Sequence, residues 1–597
     1  VKSLTLLARE LLADAGNWCH VSTLHDFKTI VKRFESEGVS FLTITLPKFC
    51  DDFQISLDAE FCSPSLFLGF RKKGSTPVFL GGLLDLVFDR DSGRLLDVPS
   101  VDAIRFIRQI CLAFGKINLP CSDARVESAI VKYIECEKEV RRSDAVFPEK
   151  RDAFSRMVVK LWGQLLTECD RAVYTQNVYP KHGPGATADK LVGNNKWNQR
   201  VWTERLECEF PMAEFAFSSY SEYLTHLPDL RFLEPGAEIP VRVITVPKTL
   251  KTPRIIAIEP TCMQYTQQAL LQLLVDKIEC DDNAFNFIRF IHQEPNQDLA
   301  KLGSSDRSLA TLDLSEASDR VSNQHVRTLL RYHSHLFRAV DACRSRKADV
   351  PGHGVKRLAK FASMGSALCF PFEALVFTTV IFLGIQKQLN RPLTVKDIRS
   401  FYGKVRVYGD DIIVPVEYVN SVVSELEAFG FLVNRSKSFW NGKFRESCGK
   451  EYFDGHDVSI CRVRHLLPQQ RGDAQEIISA VSLRNRLYMN GCWRAAGFLD
   501  RLLESLIPFP NGLETSPALV RWSSLGFSTD REHPTLHKPL VKAMVVTTKK
   551  RRSPLDGSGA LIKCLLPGRS EPFSADHLRF AGRPLAVDIK PRWSSPL

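Results

Sequence analysis

Residues 405–415 read VRVYGDDIIVP. Val405 and Val407 alternate before a Gly-Asp pair, and Ile412 and Val414 alternate after it, the two-residue period of strands with one face buried. A two-residue loop with glycine first fits a type II′ turn, in which Gly409 supplies the positive φ. The stretch predicts a hairpin with Asp410 and Asp411 at its tip. Two adjacent ionised carboxylates repel each other. A rigid tip that carries both is either ordinary turn chemistry open to water or a collector of divalent cations, Mg²⁺ above all, which takes carboxylate, water and phosphate oxygens.

A second acidic stretch bears on that choice. TLDLSEASDRVS, residues 311–322, ends a strand (SLATLDL, 308–314) with Asp313 and places Asp319 six residues later. Asp319 reads as the N-cap of a helix running through SDRVSNQHVRTLLRYHSHLF. Asp313 stands where a core strand emerges. If the two strands are neighbours, Asp313 faces Asp410 across the sheet, and three carboxylates can hold two metals roughly 3.5–4 Å apart for in-line phosphoryl displacement. Further out, VRVITVPKTLKTPRIIAIE (241–259) predicts two strands around a basic loop with Lys248, Lys251 and Arg254. Helices are expected at about 372–388 and 417–429, and a helical region with loops after 460. KKRRSPLDGSG (549–559) lacks periodicity and reads as partly flexible, with its basic run KKRR (549–552) solvated or touching a polyanion. The pattern is that of an α+β protein.

Composition narrows the class. The 597 residues allow two to four domains, and 44% hydrophobic with 25% charged residues describes an ordinary globular chain. Lys and Arg total 80 against 68 Asp and Glu, a net charge of +12 that favours polyanionic partners. The 16 cysteines form no Cys-x-x-Cys pair, which argues against a zinc ribbon and for reduced thiols. The N-terminal stretch reads as an amphipathic helix without a signal-peptide cleavage pattern. The most apolar run, ALVFTTVIFLGI (374–385), is too short to span a bilayer and predicts a buried helix, so no membrane association is expected. His333 and His335 lack metal-spaced partners and read as surface groups.

Taken together, DLSEASD (313–319) and YGDD (408–411) resemble motifs A and C of RNA-dependent RNA polymerases, in the version found in the replicase catalytic subunit of single-stranded RNA bacteriophages (the levivirus type). FASMGSALCFPFEALVF (361–377) is similar to motif B, and NRSKSFWNGKFRESCGKEYFDGHDV (434–458) to motif D and the block after it. HGPGAT (182–187) and RIIAIEP (254–260) also look like family segments.

The resemblance implies a right-hand polymerase, with an antiparallel palm sheet backed by helices. Residues 1–240 would form the N-terminal region and fingers, and 241–305 the fingers–palm junction. The palm would be 306–460, with a fingers segment near 341–362, and 461–597 the thumb and C-terminal region. It implies two Mg²⁺ ions, with Mn²⁺ as a substitute, on Asp313, Asp410 and Asp411. Lys437 would be the general acid for departing pyrophosphate. Lys248 and Arg254 would hold the triphosphate, Asp319 would read the ribose 2′-hydroxyl, and Ser363, Gly365 and Ser366 would line the nucleotide site. Ser366 stands where the family usually has Asn, and Pro371 where an acidic residue is usual; a proline fits the first turn of a helix. Arg445 and Lys450 would contact phosphates, with a buried ion pair involving Glu446 as the alternative; Cys448 reads as packing. The implied partners are RNA template and product, nucleoside triphosphates, host elongation factors Tu and Ts and a small-subunit ribosomal protein, in the cytoplasm of a bacterial host. A reverse transcriptase shares the palm, but Gly409 before the Asp pair and Asp319 after Asp313 argue against it; a non-catalytic RNA-binding palm is a second alternative, against which the intact carboxylates at all three positions speak.

Overall fold

The hairpin forms where the alternation places it. In a computed structural model that describes residues 2–566 and 576–597, Arg406–Tyr408 and Asp411–Pro415 pair antiparallel. Tyr408 lies opposite Asp411, which leaves Gly409 and Asp410 as the turn, and Gly409 has a φ of 62°. The strand Leu309–Ser315 lies beside Asp411–Pro415, and Leu432–Val433 lies beyond it. The sheet order is 406–408, 411–415, 309–315, 432–433, with every pair antiparallel.

The two faces of this sheet differ because the sequence alternates. Residues opposite each other in an antiparallel pair project to the same side. Ala310 and Leu312, opposite Val414 and Ile412, enter one buried apolar cluster. That cluster is completed by the helices Cys369–Gln388 and Val419–Ala428. The other face carries Thr311 and Asp313 opposite Ile413 and Asp411. There the hairpin Phe444–Ser447/Lys450–Phe453 covers it, and the Glu446 N–H donates to Thr311 Oγ1 at 3.4 Å. The expected α+β architecture, an antiparallel sheet backed by helices, is what the chain adopts.

Cys369–Gln388 is long and apolar enough to cross a membrane, yet 89% of that stretch is buried within the protein. Pro371 is its third residue, within the first turn, where its missing N–H costs nothing. The helix touches Val419–Ala428 through Gly384: Ser421 Oγ donates to the Gly384 carbonyl at 2.7 Å, and a Cβ on Gly384 would lie 2.7 Å from Val422 Cα.

A second sheet runs 254–258, 241–246, 347–350, 354–357. The basic loop 247–253 joins its first two strands. Arg125 Nη1 and Cys121 Sγ donate to the carbonyls of Leu250 and Thr249 and tie the loop to the N-terminal half. A separate apolar core unites residues 4–117 with Phe439, Phe444 and Phe453 and with Leu483–Leu499.

Four expectations are corrected. The single helix over 318–337 is three: Ala317–Arg320, Asn323–Leu329 and Ser334–Cys343. Residues 321–323 leave the helix to bond segment 359–361, through Phe361 N to Val321 O at 2.7 Å and Asn323 N to Ala359 O at 3.0 Å. The region after 460 is helical through Ala474–Met489 and Trp493–Glu504, with shorter helices at Gly557–Leu565 and Asp576–Arg579. Pro539–Lys549 and Ala586–Ser594 form a long antiparallel pair. Segment 549–559 is bonded in place: Ser553 N donates to Arg579 O, and Ser553 O accepts from Asn194 Nδ2 at 2.6 Å. His333 is buried, with Nε2 3.3 Å from Thr167 Oγ1, because its helix start is pressed against the helix Arg151–Tyr174.

Candidate active site

The register of the central pair sets the site. Asp313 lies directly opposite Asp411, and Asp410 occupies the turn just beyond. The expectation that Asp313 faces Asp410 is off by one residue, because the turn consumes Gly409 and Asp410 and pairing resumes at Asp411. Only glycine fits the first turn position: besides its positive φ, a Cβ there would collide with the Phe370 ring.

Each carboxylate is held differently. Asn434 Nδ2 donates to Asp313 Oδ2 at 2.7 Å, and the Asp313 N–H donates to Ser438 Oγ at 3.1 Å. The Cys448 N–H donates to Asp411 Oδ2 at 3.2 Å. Asp410 stands exposed at the tip. Burial raises the pKa of Asp411 to about 7, and the charges of Asp410, Glu446 and Asp313 add to it. Burial also raises Asp313; Lys437 opposes that, and Asp410 reinforces it.

Two lysines face this negative cluster. Burial alone disfavours the Lys437 ammonium, but Asp313, Glu446, Asp51 and Asp410 outweigh it and hold its pKa above the ordinary lysine value. Lys248, on the basic loop, is shifted the other way by its surroundings and by Arg254 and Lys437, against the pull of Asp410 and Asp313. Arg254 lies exposed at the end of its strand, opposite Val246. Lys251 reaches the field of Asp51.

The donor set suits a hard divalent cation. Among the described residues no three acidic, His or Cys side chains form a ready metal cage. The carboxylate oxygens of Asp313, Asp410 and Asp411 are donors of the kind that Mg²⁺ takes together with water and substrate oxygens.

The glycine-bearing loop lies beside the basic sheet. Gly365 has a φ of 131°, and a Cβ there would strike the Ala257 carbonyl; Ala257 N donates to Met364 O at 2.9 Å. Ser363 is buried, and its hydroxyl is 3.1 Å from Tyr133 Oη. Ser366 Oγ donates to Gln267 Oε1 at 3.1 Å. Asp319 is not an N-cap. It lies inside Ala317–Arg320, Ser322 caps the next helix, and Asp319 Oδ1 accepts from Lys360 Nζ at 3.0 Å.

Arg445 and Lys450 are not brought to the carboxylate cluster. Arg445 is fully buried, donating to the carbonyls of Leu309, Gly442 and Phe444, with Asp58 at 3.8 Å. Its ion pair is with Asp58 and not with Glu446. Lys450 pairs with Asp457 at 2.6 Å on the surface. Cys448 does more than pack, since its N–H holds Asp411.

Sequence reasoning missed Asn434, Lys360 and Glu373, and named Glu446 only as an ion-pair partner, not as a charge beside Asp411. Glu373 is buried, accepts a hydrogen bond from Ser318 and has a pKa raised to about 8, by burial first and by Asp410 further. A lone acid within CFPFEALVF was its signal.

Residues 220–473 match the family described as RNA replicase, beta-chain. This is the family that the motifs resemble. The chain is 35% identical over 226 residues to the RNA-directed RNA polymerase subunit beta of Qbeta virus (strain MX1), an alignment covering 38% of this chain and 36% of that protein. It is 30% identical over 363 residues to the corresponding subunit of Enterobacteria phage SP, covering 58% of each. The chain thus spans between about a third and three fifths of these relatives. A BmCPV RNA-dependent RNA polymerase at elongation state aligns at a TM-score of 0.36 and 12% identity, over 59% of this chain and 33% of that one.

Proposed function

We propose that this chain, whose central segment matches the replicase beta-chain family, is the catalytic subunit of an RNA-directed RNA polymerase that copies a single-stranded RNA phage genome. What carries the reading is the register that sets Asp313 against Asp411 next to the tip residue Asp410, with Lys437 and Lys248 in the field of these carboxylates. The reaction joins the 3′-oxygen of the growing RNA to the α-phosphorus of a nucleoside triphosphate, and the bond to pyrophosphate breaks. Two Mg²⁺ ions, or Mn²⁺ in their place, held by Asp313, Asp410 and Asp411, would lower the pKa of the attacking hydroxyl and neutralise the leaving oxygens.

The remaining roles belong to the chain itself. Lys437 stays protonated next to the acidic cluster and can deliver its proton to the departing pyrophosphate. Arg254 and Lys248 bind triphosphate oxygens, Arg254 through its planar fork. Asp319 accepts a hydrogen bond from the ribose 2′-hydroxyl, and the loop at Ser363 and Gly365 lets backbone approach the nucleotide closely. In this reading the hairpin sheet is the palm, the 241–258 and 347–357 strands belong to the fingers, and the region after 460 contributes the thumb. Family likeness supports elongation factors Tu and Ts and a ribosomal protein as partners, in the bacterial cytoplasm. Replacing Asp410 by Ala should cut RNA-templated elongation by at least about 10³-fold, roughly 4 kcal/mol of barrier. Near-normal incorporation by the folded variant would reject the proposal.

A further inference from the structure

Asp319 is held by an ammonium that no solvent reaches. Lys360 is fully buried, with Nζ 3.0 Å from Asp319 Oδ1, 3.4 Å from Glu137 Oε1 and 3.7 Å from the centroid of the Tyr133 ring. Glu137 Oε2 accepts from the Ala359 N–H at 2.7 Å and so fixes the backbone that presents Lys360. Tyr133 Oη continues the chain of contacts to Ser363 Oγ at 3.1 Å. Both Tyr133 and Glu137 lie on the helix Asp123–Val146, outside the segment that matches the family. Ser366 is engaged elsewhere. Its Oγ donates to Gln267 Oε1, which also accepts from the Ala367 N–H, and the Leu368 N–H donates to Ser366 Oγ at 3.4 Å.

We propose that Lys360 is the positioning residue for sugar selection. It fixes the Asp319 carboxylate, so that recognition of the 2′-hydroxyl depends on the Lys360–Asp319 pair and on Ser363 oriented by Tyr133, and not on residue 366. This rests on the polymerase reading above. With Oδ1 bound to Lys360, Oδ2 is left to accept from a ribose hydroxyl. A deoxyribose offers no donor there, and a fixed, half-buried acceptor discriminates against a substrate that leaves it unpaired. The ion pair is worth more to selectivity than a surface pair because its lysine is wholly out of water.

The test is single-nucleotide extension by the full chain on a primed RNA template, comparing kcat/KM for UTP and dUTP. Lys360→Met should lower the UTP value by about tenfold or more and leave dUTP within about threefold, so that the ratio collapses. Tyr133→Phe and Glu137→Gln, which keep the packing, should each lower the ratio by about threefold, and Ser366→Ala should shift it by less than that. An equal fall for both nucleotides in Lys360→Met, or a ratio that collapses in Ser366→Ala, overturns the inference. If Lys360→Met does not fold, unchanged ratios in both Tyr133→Phe and Glu137→Gln overturn it. Asp319→Asn separates the two levels. A collapsed ratio there with an intact one in Lys360→Met removes only the positioning role. An intact ratio in Asp319→Asn removes the ribose reading itself, and absence of any UTP incorporation by the parent protein removes the polymerase reading with it.

Discussion

Above neutral pH, Asp411 is an ionised carboxylate packed among Asp410, Asp313 and Glu446. Its folded pKa of about 7 lies above the ordinary value of 3.8, so between those values the folded chain binds more protons than the unfolded one. Stability from this group is therefore fully present below about pH 4 and is lost as pH rises through 7. Asp411→Asn should remove that penalty. In a chelating buffer at pH 8 the variant should be more stable than the parent by on the order of 1–3 kcal/mol, with the gain shrinking towards pH 5, while RNA synthesis is lost. Denaturant titrations at the two pH values check this, and a gain of equal size at both would reject the electrostatic account. The three aspartates were legible because strand alternation and turn chemistry act over neighbours in the chain. The partners of Asp319 were not. Lys360 lies 41 residues from it, and Tyr133 lies 230 residues from Ser363. No local pattern announces a lysine whose charge is satisfied only by tertiary contact. Arg445 misled for the same reason: its residue type suits phosphate, and only burial reveals that it binds backbone carbonyls.

At the level of elements, the helix Cys369–Gln388 supports the sheet through a contact that leaves no room at Gly384. Gly384→Val would push a branched side chain into the Val422 backbone and should cost about 1–3 kcal/mol, measured by chemical denaturation. Gly163→Ala is the control. Its nearest neighbour would be Val159 Cγ1 at 3.9 Å, and removing a glycine from a helix interior should stabilise by up to about 1 kcal/mol. Similar effects of the two substitutions would mean that the helices do not meet there as described. The strands at 241–258, 309–315 and 406–415 could be read from period, and the buried helix from its unbroken apolar run. The break at 321–323 could not, since the hydrogen bonds that replace the helical ones come from residues 359–361. The C-terminal strand pair escaped likewise, because Pro539–Lys549 meets a partner that begins at Ala586, across an intervening helix.

For the molecule as a whole, the proposed binding to RNA, which the net charge of +12 favours, is an exchange of counterions. With six or more phosphates engaged, affinity should fall by about 10³-fold or more between 50 and 200 mM salt, a steepness that filter binding or fluorescence anisotropy measures; a shallow dependence would deny an extended phosphate track. One packing fact reaches back to synthesis. Residues 4–117 share their apolar core with residues 439–499. A chain emerging from the ribosome at about 5–20 residues per second displays the first part of that core for roughly 20–80 s before its complement appears. Over that interval the nascent N-terminal segment is a substrate for holding chaperones, and translation that stalls before residue 499 leaves a sticky fragment rather than a folded half.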